Sequence, residues 1–149
     1  MASTRLILLA AATLLVIAGC SLTPAPNEVT LPCQDFNVPF DNSEDSQLVI
    51  FNDTNKFLYG LDGTGKLNVS TDGRSVGQLD IGEYVVLTAN RGKHKIDLEH
   101  WDLFHFSSAH EITVEDRQIF LRVKAKATSN EAVVVDRPVD FNDDFNAAF

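Results

Sequence analysis

The fold class this sequence predicts is all-β: an antiparallel β-sandwich of seven to eight strands. Three observations predict it. β-branched and aromatic residues are dense from Gln47 to about Val135, turn signals recur roughly every ten residues, and no part of that stretch sustains a helical period. Strands are expected over 47–51, 66–71, 84–89, 93–99, 103–106, 111–115, 118–125 and 132–135. Between them stand residues that tolerate positive φ or bond their own backbone: Asp72-Gly73, Asn90-Arg91-Gly92 and Glu115-Asp116-Arg117. So few strands do not close a large barrel. Two sheets packed face to face, in an immunoglobulin/transthyretin-like arrangement spanning 47–137, bury their apolar faces instead.

Ahead of this body, Arg5 precedes an apolar run from Leu6 to Ala18. The run is shorter than the about 20 residues a spanning helix needs, and it reads as a secretory signal over residues 1–19. It ends at Ile17-Ala18-Gly19-Cys20, an aliphatic residue, two small residues and a cysteine. These residues resemble the lipobox of bacterial lipoproteins. The resemblance implies cleavage before Cys20, a diacylglyceryl group on its sulfur and acylation of its new amine. Each buried methylene contributes about 0.8 kcal/mol, so two or more chains hold a protein on a membrane without spanning it. Ser21 follows where an Asp would imply retention at the inner membrane, so the resemblance implies the outer membrane, with the body facing the periplasm.

Residues 20–46 carry Pro24, Pro26, Pro32 and Pro39 among polar residues and read as a flexible tether able to hold a domain well away from the bilayer. With Cys20 alkylated, Cys33 lacks a partner in its own chain. Its flanks Pro32, Gln34 and Asp35 supply no base or cation to activate it, so an inert thiol is expected. Loss of residues 1–19 removes Arg5 and no acid, leaving 11 basic against 21 acidic residues, a charge of −10. That surface repels phosphate polymers, which argues against a nucleic-acid partner.

Residues 67–98 sharpen the reading of the body. Asp72-Gly73, Val76-Gly77, Gly82-Glu83-Tyr84 and Gly92-Lys93-His94-Lys95-Ile96 resemble small PEGA-like and related uncharacterised domain families of bacterial envelope lipoproteins. The likeness covers roughly residues 47–126, with 111–123 fitting a later hairpin. Arg91, where those families often have Pro, and Asp116-Arg117, in place of a usual Gly, depart from the pattern. The resemblance implies a sandwich and brings no catalytic residues.

All four histidines fall between His94 and His110. Zinc needs three or four converging ligands. His94 and His100, six apart on a strand, stand about 20 Å from each other and share the parity of Ile96 and Leu98, the expected inward face. Only His105 and His110 could converge, across a turn at Ser107-Ser108-Ala109, and with Glu111 they form the candidate metal site. Ser107 or Ser108 with one of these histidines makes a triad on paper, without the G-x-S-x-G elbow that exposes a nucleophile. The run Gly60-Leu61-Asp62-Gly63-Thr64-Gly65-Lys66 lacks phosphate-loop spacing and reads as a hairpin loop.

The tail, 138–149, spaces Phe141, Phe145 and Phe149 four apart among Asp140, Asp143 and Asp144. Either the phenylalanines cover an open end or edge of the sandwich, or they form an aromatic hook for another envelope protein. The expectation as a whole is a non-enzymatic, outer-membrane-anchored binding or structural module without a cofactor, its partners the membrane, through Cys20, and another envelope protein. The second expectation is a metal or small-ligand carrier using His105, His110 and Glu111.

Overall fold

The run Ser46-Gln47-Leu48-Val49-Ile50-Phe51 lacks the polar alternation of a half-exposed strand, which marks a strand covered on both faces. In a computed structural model that describes residues 23–26, 45–59 and 64–148, it is the central strand, buried from Ser46 to Asn52. The elements in chain order are β1 (Asp45–Asn52), α1 (Lys56–Tyr59), β2 (Leu67–Thr71), β3 (Arg74–Leu79), β4 (Glu83–Asn90), β5 (Gly92–Trp101), β6 (His105–Val114), β7 (Gln118–Lys126), β8 (Ser129–Val135), α2 (Phe141–Asp144) and β9 (Asn146–Ala147). They make an all-β sandwich of two sheets, ordered β8-β7-β1-β4-β9 and β3-β2-β5-β6. The signal segment, Cys20, Cys33, most of the predicted tether and Phe149 lie outside the described residues.

The sandwich is not purely antiparallel. β1 pairs antiparallel with β4 (Leu48 opposite Leu87) but parallel with β7 (Ile50 opposite Leu121), and β9 joins β4 in parallel. A parallel pair needs a long crossover. Here the chain between β1 and β7 builds the whole second sheet on its way back. Leu48 and Ile50 then face Val69, Ile96, Leu98 and Ile112 across the core.

Strands differ from expectation in three places, one of them the short β9 in the tail. Arg74–Leu79 forms β3, where no strand is expected. Its only apolar residues are Val76 and Leu79, Gly77 holds φ at 127°, and a register shift falls between Val69 and Ser70 opposite it. The strands expected at 103–106 and 111–115 are replaced by one, β6, paired with β5 along its whole length from Gly92 opposite Val114 to Trp101 opposite His105. Ser107, Ala109 and Glu111 occupy its exposed face, so a polar alternation resembled a turn. The actual turn carries Leu103 and Phe104, closed by a hydrogen bond from Asp102 N–H to the Phe104 carbonyl (3.0 Å).

Two buried asparagines join the sheets. Asn52 donates from Nδ2 to the carbonyls of Gly65 (2.8 Å) and Leu79 (3.0 Å), and its Oδ1 accepts from Thr54 N–H (3.1 Å) and Thr54 Oγ1 (2.6 Å). Asn130 on β8 donates to the carbonyls of Leu98 (3.2 Å) and Phe106 (3.4 Å) in the opposite sheet.

The tail forms a third layer. Phe141 and Phe145 pack with Val49, Phe51 and Phe120 on the outer face of the first sheet. α2 is one turn long, with no side-chain hydrogen bond from Asp140. A helix this short is unstable alone, so its place depends on docking. Asn146 and Ala148 N–H then bond the carbonyls of Gly82 and Tyr84 (both 2.9 Å). Of the two readings of the tail, the hook is corrected for Phe141 and Phe145, which cover the sandwich as in the other reading, though on the face of a sheet and not at an open end.

Residues 23–26 also lie on the body. Asn68 Nδ2 donates to the Thr23 carbonyl (2.8 Å), Ala25 N–H donates to Asn68 Oδ1 (3.2 Å), and Ser75 Oγ donates to the Pro26 carbonyl. This part of the predicted tether is bonded to β2 and β3 and does not hang free.

Candidate functional site

The alternative metal site at His105, His110 and Glu111 does not assemble. All three stand on β6, where side chains alternate between faces. His105 and Glu111 share the outer face but are six residues apart, about 20 Å along the strand. His110 points the other way. Each has its own neighbour: His105 Nε2 lies 3.8 Å from Glu99 and its ring 5.2 Å from that of Trp101, Glu111 pairs with Lys93 at 2.7 Å, and His110 Nε2 meets Ser108 Oγ at 2.9 Å. Among the described residues no group of three or more His, Cys, Asp or Glu could hold a metal ion. Ser108 and His110 are two members of the triad considered above. No carboxylate is bonded to the other imidazole nitrogen among the described residues.

The other two histidines are structural and electrically opposite. Asp72 (φ 52°) and Gly73 (φ 77°) make the two left-handed residues of a tight hairpin turn. Asp72 reaches across to β5, accepting from Lys95 N–H (2.9 Å) and from His94 Nδ1 (2.7 Å). His94 Nε2 faces the Asn90 carbonyl at 2.8 Å. Two oxygen acceptors on one ring favour the imidazolium. Partial burial pulls the His94 pKa down, but the hydrogen bonds to Asp72 and Asn90 and the charge of Asp72 outweigh it, and the net shift is upward. The Asp72 carboxyl is held below its usual range, first by the Lys95 N–H against slight burial, then by His94.

His100 is fully buried, as its parity predicts, with its ring stacked 5.1 Å from that of Phe106. Asn130 spends its NH2 on two carbonyls, so its Oδ1 accepts from His100 Nδ1–H at 2.5 Å. Among the described residues Nε2 has no hydrogen-bond partner of good geometry. Burial pushes the His100 pKa down, opposed by the Asn130 bond, Asp102 and the Lys126 backbone.

The signs follow from linkage. His94, raised, contributes stability that is complete below about 6.5, its unfolded pKa, and is lost as pH rises through the folded value. His100, lowered, leaves stability intact above about 6.5 and takes it away as pH falls below that. In urea titrations across pH, His94→Ala is therefore expected to cost more on the acid side of that range than on the alkaline side. His100→Leu is expected to show the reverse slope. Profiles parallel to wild type for both variants would contradict these assignments.

The described residues do form a groove of about 670 Å³ on the outer face of the first sheet. Its floor is Phe51, Arg122 and Lys124, its wall the tail residues Pro138, Asp144 and Phe145, and its upper end Asp53 and Lys56. Outward residues of β1 and β7 supply the floor because strand parity sends Leu121 and Val123 inward. Gly82 sets the upper corner: it sits at φ 84°, and a Cβ there would come within 3.0 Å of Lys56 Nζ. Lys124 pairs with Asp53 at 2.8 Å. Arg122 reaches Glu131 only at 3.5 Å, and its Nε is buried without a hydrogen bond among the described residues. Glu131 is held below the usual carboxylate range by the Lys126 hydrogen bond, against partial burial, with the charges of Lys126, Arg122 and Lys124 adding to the effect.

No protein-family model, no curated protein and no solved structure matches this chain. The groove's own chemistry is therefore what bears on function. Phe51 and Phe145 are nearly buried, so what the groove offers a ligand is mainly charge of both signs, Lys56, Arg122 and Lys124 beside Asp53 and Asp144, which suits a polar segment of another macromolecule. It was not legible beforehand, because its lining comes from five separated stretches of chain brought together by the parallel β1–β7 pairing and the docked tail.

Proposed function

We propose that this chain is a non-enzymatic lipoprotein, anchored through Cys20 to the periplasmic face of the outer membrane, whose β-sandwich binds a segment of another envelope component. The anchor rests on the Ile17-Ala18-Gly19-Cys20 motif. The observation that carries the binding reading is the groove beside the docked tail, with Arg122 Nε buried in it and unbonded among the described residues. A buried donor without a partner is costly, and a bound acceptor relieves it.

A photo-activatable side chain at Lys56, in living cells, is expected to give one discrete crosslinked partner, while the same group at Thr113 on the far sheet gives none. Equal crosslinking from both positions would refute the groove as the binding site.

A further inference from the structure

Among the described residues, four large hydrophobic side chains stand open to solvent at one end of the sandwich: Phe57 (85% exposed), Leu58 (65%), Leu103 (85%) and Phe104 (68%). That they share an end follows from the pairing. Asn52, the last residue of β1, bonds the carbonyls of Gly65 and Leu79, so β1 ends where β2 begins and β3 finishes. α1, carrying Phe57 and Leu58, follows β1 directly. Asn68, at the start of β2, pairs with Glu99, which places Trp101 and the turn bearing Leu103 and Phe104 at the same end.

Residues 23–26 point the chain towards that end. Thr23 and Ala25 are bonded at Asn68, and Pro26 at Ser75, which pairs with Ser70 two residues further along β2. Traced backwards from Pro26 to Thr23, the chain therefore runs towards the level of Trp101. Cys20 precedes Thr23 by three residues, at most about 11 Å of extended chain.

We infer that this end of the sandwich is a membrane-contacting face, in which Leu103 and Phe104, with Phe57 and Leu58 beside them, enter the headgroup–acyl boundary of the bilayer that holds the Cys20 chains. The inference rests on the lipid-anchor reading and deepens it: the body lies against the membrane, and the upper end of the groove opens beside it. Apolar side chains next to a tryptophan are the composition of such boundaries. Lys66, Lys124 and Lys126 at this end are each paired with a carboxylate, Asp80, Asp53 and Glu131 respectively. Asp102, in the turn itself, keeps the contact at interfacial depth.

Trp101 is the chain's single tryptophan and reports on its own turn. The mature full-length protein is to be reconstituted into phosphatidylethanolamine vesicles containing a minority of phosphatidylglycerol, with and without brominated acyl chains. The expected result is flotation with the vesicles, a blue-shifted Trp101 emission and loss of that emission in brominated vesicles. The double variant Leu103→Ser/Phe104→Ser is expected to float and melt as wild type does while keeping aqueous, unquenched emission. Protein that carries lipid and floats, yet whose Trp101 is not quenched, overturns the membrane face and leaves the anchor standing. If its emission shifts only in native envelopes, the end belongs to a protein partner and the inference is equally overturned. Protein without lipid that fails to float overturns the anchor and this inference with it.

Discussion

Phe141→Ala is expected to destabilise the protein by about 3–5 kcal/mol, the cost of emptying a large aromatic site. Phe141 is almost completely buried, with ring centroids of Phe51, Phe120, Phe145 and Tyr84 between 5.1 and 5.4 Å away. It anchors a one-turn helix that cannot hold itself, and that helix covers Val49, Phe51 and Phe120. The loss therefore spreads from one side chain to the outer face of the central strand, which a two-layer sandwich would expose to water. Denaturant titration of Phe141→Ala against wild type reads it directly. Wild-type stability in the variant would mean that the tail is dispensable to the fold and would restore the reading of it as a free hook.

Asn52→Ala is expected to cost about 3 kcal/mol or more, because several backbone groups lose their partner where water cannot replace it. Its side chain is fully buried and bonds the Gly65 and Leu79 carbonyls and the Thr54 N–H, while Thr54 Oγ1 passes the connection to Ala125 N–H at 2.8 Å. For a domain near 100 residues this lowers Tm by on the order of 15 °C. Asn52→Asp separates hydrogen bonding from volume. It keeps the acceptor for Thr54 but turns an oxygen towards the two carbonyls, so it is expected to melt as low as Asn52→Ala. A thermal melt of Asn52→Asp matching wild type would contradict the hub.

Much of the fold was legible, for a local reason. In β1, β4 and β7 the density of Val, Ile, Leu and Phe exceeds what a solvent-facing segment carries, β5 alternates Ile96 and Leu98 with charged residues, and the turns at Asp72-Gly73 and Asn90-Arg91-Gly92 fall where expected. Parity alone put His100 in the core. What failed depended on partners. β3 has little apolar pattern of its own and exists because β2 offers it an edge. Ser107-Ser108-Ala109 resembled a turn because small polar residues on the exposed face of a strand and at a bend look alike. With that turn gone, His105, His110 and Glu111 had nothing to bring them together.

The phenylalanine spacing was visible, but spacing of four fits a helix face and a strand side equally. Only the tertiary structure shows which surface receives it. Asn52 carried no signal at all, since a buried asparagine and a loop asparagine are the same letter. The bonding of residues 23–26 was equally hidden: four proline-rich residues say nothing about the asparagine on β2 that receives them.

The central claim is that Cys20 becomes a lipidated N-terminus holding this body at the membrane. The most direct measurement is the intact mass of the exported protein purified from envelopes. The account predicts a chain beginning at Cys20 with the added mass of a diacylglyceryl group and an N-linked acyl chain. A chain cleaved elsewhere, or one beginning at Cys20 with an unmodified thiol, would contradict it.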